Sequence, residues 1–371
     1  MTRKVLVTGL LGQDGSNMCE YLLSLDNIKV FGMARRLSNP NFSNCDSFLN
    51  HPDFQVVFGD LTDQYSLDKL VQEIQPDYFI NFAANSFVGI SWDMPLQVFD
   101  TNALGVLRCL ESIKRYQPKC RFYSAGSSEE FGDVVYSPQD MSHPLRPRSP
   151  YGASKCAARH LVKVYRDSYN LYAVHATLFN HEGLKRGKEF VTRKITQGVA
   201  KVHQEFFDAE KWRQRKGEAP TVTPIELGNL EAKRDWSDSE DFVEGVWKML
   251  QMDEPRDYLL ASGETHSIKE FAERAFFHAG IRKVYWEGEG VDQRLLFDHD
   301  GHHQVILVKV NPKFYRPAEV ELLWGDPSET QKVLDWKPKF SFDNLVERMV
   351  LYDIDIRREE NHGKTLRAQQ M

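Results

Sequence analysis

The sequence predicts an α/β protein: a doubly wound parallel sheet with a smaller second α/β domain. Three observations carry the prediction. Short runs rich in Val, Ile and Phe alternate with longer helical patterns through residue 180. A glycine-rich turn, Gly9-Leu-Leu-Gly12-Gln-Asp-Gly15, follows the first run, and Tyr151-Gly-Ala-Ser-Lys155 opens a helix after the fifth. Strands that read as near-continuous apolar runs belong to a parallel sheet covered on both faces.

In chain order, strands are predicted at 4–8, 29–33, 55–58, 78–82, 121–124 and 172–176. Helices are predicted at 16–25, 66–74, 96–115 and 151–169. After Phe179 the pattern is less regular: a helix from Phe190 towards Phe206, then a solvated loop or frayed helix end over 208–218. A loop is expected over 288–304 and a frayed tail after Arg357. The cluster Asp298-His299-Asp300-Gly301-His302-His303 offers metal-type ligands. No partner motif completes a site, so it reads as a polar turn and no metal is expected.

The chain has 371 residues, 41% hydrophobic and 27% charged, which excludes a mostly disordered, collagenous or membrane-embedded protein. A net charge of −6 is a poor match to nucleic acid. Cys19, Cys45, Cys109, Cys120 and Cys156 form no CxxC or zinc-like spacing, so reduced thiols in a cytoplasmic setting are expected. The apolar run Val5–Val7 ends too soon for a signal peptide, and no run reaches the length of a spanning helix.

Gly9, Gly12 and Gly15 sit between the first strand and the first helix. Glycines there let backbone approach a pyrophosphate, which the helix N-terminus then receives. The second strand ends in Arg35-Arg36. Arginine pairs with a 2′-phosphate where an acidic residue would bind a 2′-hydroxyl, so NADP is expected rather than NAD. Asp60, after the third strand, accepts either a hydrogen bond from adenine or the first N–H groups of a helix.

Residues i and i+4 share a helix face, so Tyr151 and Lys155 project into the same space. A nearby ammonium stabilises phenolate and makes the tyrosine a usable base. Ser127, Ser128 and Glu129 lie beyond the carboxyl end of the fifth strand, where doubly wound sheets bind ligands. A hydroxyl there can hold a sugar oxygen, and a carboxylate can move a proton. Glu130 reads as part of a polar loop.

The glycine turn, the Ser–Ser–Glu loop and the YxxxK helix together resemble the extended short-chain dehydrogenase/reductase family. Thr8-Gly-Leu-Leu-Gly-Gln-Asp-Gly-Ser16, Ala34-Arg-Arg36, Pro147-Arg-Ser-Pro-Tyr-Gly152 and Leu178-Phe-Asn-His-Glu182 narrow the resemblance to the GDP-mannose 4,6-dehydratases. Phe190-Val-Thr-Arg-Lys-Ile195, Leu227-Gly-Asn-Leu-Glu-Ala-Lys-Arg-Asp-Trp236 and Tyr315-Arg-Pro-Ala-Glu-Val320 do the same.

The resemblance implies a Rossmann-like NADP domain over 1–180, to which a segment near 228–255 returns, and a smaller, interleaved α/β substrate-binding domain over 181–371. It implies that Ser127, Glu129, Tyr151 and Lys155 are catalytic. Gly9, Gly12, Gln13, Asp14, Gly15, Arg35, Arg36, Asp60 and Leu61 would bind NADP, with Ala83, Ala84, Ser86, Tyr151, Lys155, His181 and Arg186. Ser86, Asn180, Val191, Lys194, Arg234, Arg316 and Glu319 would hold the GDP-sugar. The implied reaction converts GDP-mannose to GDP-4-keto-6-deoxy-mannose by internal hydride transfer and loss of water, a first step towards GDP-fucose or related deoxysugars. A homodimer or homotetramer is implied, with neither nucleic-acid nor membrane partners.

Leu11, Asn44, Phe87, Gln97, Gly183-Leu-Lys185 and Ser237-Asp238 depart from the family pattern, and the segment between Val202 and Glu226 is longer than usual. Two other readings therefore stay open: a dehydratase or epimerase of another nucleotide sugar, such as a GDP-heptose, and a non-catalytic NADP-binding regulator. Glu129 with Tyr151 and Lys155 speaks for catalysis.

Overall fold

The computed structural model describes residues 2–216, 222–298, 304–315 and 320–369. They fall into two compact units, the first built from Met1–Lys185, Asp235–Thr265 and Leu322–Lys339. Its strands are β1 (Arg3–Thr8), β2 (Ile28–Ala34), β3 (Phe54–Phe58), β4 (Tyr78–Asn81), β5 (Arg121–Ala125) and β6 (Ala173–Leu178). With Asp257–Leu260 at one edge they form a parallel sheet in the order Asp257–Leu260, β6, β5, β4, β1, β2, β3. The expected doubly wound sheet is present, and its strand order reverses between β4 and β1. A crevice at the carboxyl ends of those two strands is where such sheets receive ligands.

Successive side chains of a strand face opposite layers. Val5, Val7, Ile80 and Tyr123 join Met18, Leu22, Phe242 and Trp247 in one buried cluster. Leu6, Phe79 and Phe122 join Leu67, Val71, Leu110 and Val162 in the other. Burial on both faces is why these strands read as unbroken apolar runs. The flanking helices are α1 (Gln13–Leu23), α2 (Gln64–Ile74), α3 (Pro95–Phe99), α4 (Gly105–Tyr116) and α5 (Pro150–Tyr169).

Several local expectations need correction. α1 begins at Gln13 instead of Ser16, because Gly12 takes the cap position with backbone alone. The helix expected over 96–115 is two helices joined by a π-turn, Asp100–Leu104. Asp60 does not cap α2: Asp63 does, accepting from the Tyr65 N–H, while Asp60 accepts from the Thr62 N–H and hydroxyl. The segment expected as a loop over 288–304 contains the strand Arg294–Asp298, whose Leu295 and Leu296 are buried against the antiparallel strand Gln304–Val310. Of the acidic–histidine cluster, Asp298 ends that strand and residues 299–303 lie outside the described residues. The charged stretch from Asp208 stays helical to Lys216, with 217–221 outside the described residues, and the final helix, Phe342–Gln369, runs past Arg357.

The second unit comprises Arg186–Arg234, His266–Glu321 and Phe340–Met371. Its longest elements are α6 (Val191–Lys216) and the helix Phe342–Gln369. A buried ion pair joins them: Arg193 Nη2 lies 2.9 Å from Asp353 Oδ1, and Thr196 Oγ1 donates to Asp353 Oδ2 at 2.6 Å. A four-stranded sheet, ordered Val284–Glu287, Arg294–Asp298, Gln304–Val310, Ile225–Leu227, accompanies the helices.

Asp235 stitches the later segments into the first unit. Its carboxylate accepts from Ser262 N–H (2.7 Å), Ser262 Oγ (2.6 Å), Gly263 N–H (3.0 Å) and Gly325 N–H (3.2 Å). Burial pushes this carboxyl up to about 6, against the pull of those donors. Asp235→Ala strands three backbone N–H groups and should lower unfolding free energy by about 3 kcal/mol or more. Chemical denaturation measures it, and an unchanged midpoint would refute the stitching role.

Candidate active site

β1 ends in Thr8, whose hydroxyl donates to Asn81 Oδ1 at 2.6 Å and accepts the Ala83 N–H at 3.1 Å. This clamps the ends of β1 and β4 at the switch point. Gly9 turns the chain with φ +76°, and a Cβ there would lie 2.9 Å from the Ala83 nitrogen. A Cβ on Gly15 would lie 2.2 Å from the Gly9 carbonyl oxygen, and one on Gly12 3.3 Å from the same atom. Three glycines thus seat the start of α1 directly on the turn, leaving a backbone cradle at a helix N-terminus. That cradle suits a dinucleotide pyrophosphate.

Gln13, Asp14 and His181 are brought together beside this turn. Gln13 Nε2 donates to the His181 carbonyl at 3.1 Å and to Asp14 Oδ1 at 3.0 Å. His181 Nε2 lies 3.0 Å from Asp14 Oδ2, its Nδ1 faces the Phe179 carbonyl at 2.8 Å, and its ring stacks on Phe242. Asn180 precedes it on β7 (Asn180–Glu182), which pairs with Trp236–Asp238. At the end of β2, Arg35 and Arg36 are exposed, and Arg36 donates to the Leu37 carbonyl. Leu61 is buried, Ala83 and Ala84 are half-buried after β4, and Ser86 is exposed.

Beyond β5 the chain turns through Ser127, whose hydroxyl accepts the Glu129 N–H at 3.3 Å. Glu129 sits in the middle of this tight turn, 8% exposed. Ser149 caps α5 by accepting the Gly152 N–H at 3.0 Å, with Pro150 at the first helical position. A Cβ on Gly152 would lie 2.6 Å from the Glu129 carbonyl oxygen, so only glycine lets the first turn of α5 rest on the Glu129 backbone. That contact brings Glu129 and Tyr151 into one neighbourhood.

One turn further on, Lys155 Nζ donates to the Ala125 carbonyl at 2.7 Å and lies 5.8 Å from the Tyr151 ring centroid. Burial lowers its ammonium to about 8, opposed by the charges of Glu130 and Asp14.

Sequence reasoning missed the residue that locks this helix to the β4 loop. Asn102 Oδ1 accepts the Asn85 N–H at 2.8 Å, its Nδ2 donates to Ser154 Oγ at 3.1 Å, and Ser154 Oγ donates to the Tyr151 carbonyl at 2.7 Å. The available signal was an asparagine inside an apolar helical run, a position its side chain disfavours.

The second unit carries the remaining positions. Val191 opens α6, and Lys194 Nζ lies 3.4 Å above the Phe314 ring. Burial lowers the Lys194 ammonium, while Glu226 raises it. The Arg186 guanidinium lies 3.5 Å over the Phe190 ring. Arg234 is 7% exposed, and its Nη1 donates to the Lys233 carbonyl at 2.8 Å. Arg316 and Glu319 lie outside the described residues.

The sequence pattern of the family described as "GDP-mannose 4,6 dehydratase" matches residues 6–349. The chain belongs to the GDP-mannose 4,6-dehydratase family. The GDP-mannose 4,6 dehydratase of Drosophila melanogaster is 40% identical over 362 residues, covering 95% of this chain and 87% of that protein. GDP-mannose 4,6 dehydratase 2 of Caenorhabditis elegans is 42% identical over 362 residues, covering 95% of this chain and 89% of that one. A dTDP-glucose 4,6-dehydratase of Streptomyces venezuelae, solved with NAD, shares the fold at TM-score 0.76 and 20% identity, covering 95% of this chain and 98% of its own.

Most departures from the GDP-mannose 4,6-dehydratase pattern have local explanations. Asp238 caps the helix Ser239–Met249 by accepting the Glu240 N–H at 2.9 Å. Asn44 ties the segment after β2 to the glycine turn, donating to the Leu11 carbonyl at 3.1 Å and the Lys185 carbonyl at 3.4 Å. Lys185 pairs with Glu20 at 2.6 Å, and the Leu11 side chain packs on the buried core. Gly89 makes room for Phe87, whose ring lies 3.1 Å from where a Cβ on Gly89 would be. Nothing in the structure explains Gln97.

Proposed function

We propose that this chain is an NADP-dependent GDP-mannose 4,6-dehydratase, a hydro-lyase that forms GDP-4-keto-6-deoxy-mannose. The observation that supports the reading is the packing of Gly152 on the Glu129 backbone, which brings Glu129 next to the turn of α5 that bears Tyr151. A simple dehydrogenase needs only the pair; dehydration needs a second group to move a carbon-bound proton.

The pyrophosphate of NADP would rest on the Gly9–Gly15 cradle, with Arg35 towards the 2′-phosphate and Asp14 with His181 beyond the helix start. When bound, the cofactor supplies hydride acceptance from sugar C4 and hydride return at C6. Tyr151 takes the proton from the sugar O4, and the Lys155 ammonium stabilises its phenolate. The Lys155 charge is held below about 8 and lost above it, so this support fades on the alkaline side. A ketone at C4 acidifies the C5 proton, which Glu129 takes and passes to the C6 hydroxyl as it leaves as water. Once hydride is back on C6, the Tyr151 phenol gives C5 the proton it took from O4, which restores its phenolate. Ser127 holds the O4 side of the sugar. Lys194 and Arg234 meet the diphosphate as point charge and fork, with Val191 and Asn180 as further nucleotide-sugar positions. By resemblance the protein is a dimer or tetramer, and its buried thiols suit a reducing compartment such as the cytoplasm.

Incubation with GDP-mannose and no added reductant should give the 4-keto product. Glu129→Gln should keep nucleotide binding and lose dehydration by at least about a hundredfold. Near-normal turnover in that variant would remove Glu129 from the mechanism, and turnover of a GDP-heptose alone would move the substrate.

Arg35→Ala should weaken NADPH binding about tenfold while changing NADH binding by less than about twofold. Equal losses, measured by fluorescence titration, would overturn the NADP assignment.

A further inference from the structure

Beside the catalytic turn lies a buried ion pair for which the proton chemistry above has no use. Glu130 follows Glu129 in the chain but is fully buried, at 0% exposure. Its Oε1 accepts the Ser127 N–H at 2.8 Å and lies 3.1 Å from Nε2 of His175, itself 0% exposed on β6. Its Oε2 has no hydrogen-bond donor and faces Arg159 Nη1 at 3.7 Å. Arg159 Nε in turn lies 3.6 Å from Asp257 Oδ2, and Asp257 Oδ1 lies 2.9 Å from Arg166 Nη1. The chain makes space for this: a Cβ on Gly126 would lie 2.3 Å from His175 Nε2 and 2.5 Å from Glu130 Oε1.

Buried ion pairs are weak stabilisers, so a carboxylate kept here argues for a role in fixing geometry. We propose that Glu130, clamped by His175 and Arg159, is a positioning residue that fixes the Ser127–Glu129 turn and supports the Lys155 ammonium. The inference rests on the roles proposed above for Glu129 and Lys155. The turn closes through Glu130: its side chain takes the Ser127 N–H while the Ser127 hydroxyl takes the Glu129 N–H, so neither end of the turn can swing.

The titratable groups facing Glu130 are His175 from β6 and Lys155, Cys156 and Arg159 from α5, with Cys156 Sγ 3.6 Å from the Glu130 carbonyl. Burial opposes the Glu130 charge, but His175, Arg159 and the Ser127 N–H outweigh it and hold the carboxyl below the ordinary glutamate value. Lys155 Nζ donates to the carbonyl of Ala125, the residue before Gly126, and a Cβ on Gly126 would lie 2.5 Å from Glu130 Oε1. The carboxylate therefore stands close to the ammonium, and its charge is the first of two that oppose the lowering of Lys155 by burial.

The test compares the full-length protein with Glu130→Gln and His175→Asn. Glu130→Gln should lower kcat for GDP-mannose about tenfold or more with KM within about twofold, and move the alkaline limb of the kcat profile to lower pH. His175→Asn loosens the clamp but keeps the carboxylate, so kcat should fall while the alkaline limb stays. Competitive labelling with acetic anhydride, read by mass spectrometry without substrate, should modify Lys155 near neutral pH about fivefold faster in Glu130→Gln. An unchanged alkaline limb with equal Lys155 labelling in Glu130→Gln would overturn the proposal, as would a loss confined to KM. If the unsubstituted protein turns over no GDP-sugar, the dehydratase reading fails and the labelling alone decides: faster supports Glu130, equal overturns it. If Glu130→Gln does not fold, His175→Asn decides, and unchanged kcat overturns the proposal.

Discussion

A lysine ammonium buried at the carboxyl end of the sheet is the constraint on which the rest of the first unit depends. Lys155 is 6% exposed and donates its hydrogen bond to the carbonyl of Ala125, the last residue of β5. Removing such a charge from water is costly unless hydrogen bonds and opposite charges replace the solvent. The first turns of α5 must therefore sit in one place, and the surrounding sequence puts them there. Ser149 and Pro150 start the helix, Gly152 lets it touch the Glu129 backbone, and Asn102 holds it from the other side through Ser154.

The switch point of the sheet supplies the second half of the arrangement. Thr8 joins β1 to the chain leaving β4, and three glycines press α1 onto the turn above. One neighbourhood of the first unit thus offers a backbone cradle at a helix N-terminus, and another gathers Tyr151, Lys155 and the Glu129 backbone. The second unit holds cations of its own, with Lys194 over the Phe314 ring and Arg234 held by the Lys233 carbonyl. A net charge of −6 is no obstacle to a nucleotide ligand when a few cations are placed this locally.

Much of this was legible in the sequence because its causes are local. Strand periodicity, the glycine turn and the i, i+4 pair all act within a few residues, and the sheet follows them closely. What stayed hidden depends on distant partners. Nothing near Glu130 announces that His175 and Arg159 will meet it, so it read as a polar loop residue. Asp60 reads as a candidate cap on paper; the path of the chain after β3 gives that place to Asp63. The strand Arg294–Asp298 reads as loop because its flanks are polar and the sequence that follows it, 299–303, is rich in histidine and aspartate. Its buried Leu295 and Leu296 were the overlooked signal.

The central claim is that one site removes a hydride from the sugar and gives it back two carbons away, with Glu129 moving the proton between. GDP-mannose deuterated at C4 tests this most directly, incubated with the NADP-loaded protein and no added reductant. The account predicts a 4-keto-6-deoxy product carrying deuterium at C6, one per turnover, while no reduced cofactor accumulates. A product with only protium at C6, or a reaction that stalls at the 4-ketone with the cofactor reduced, would contradict it.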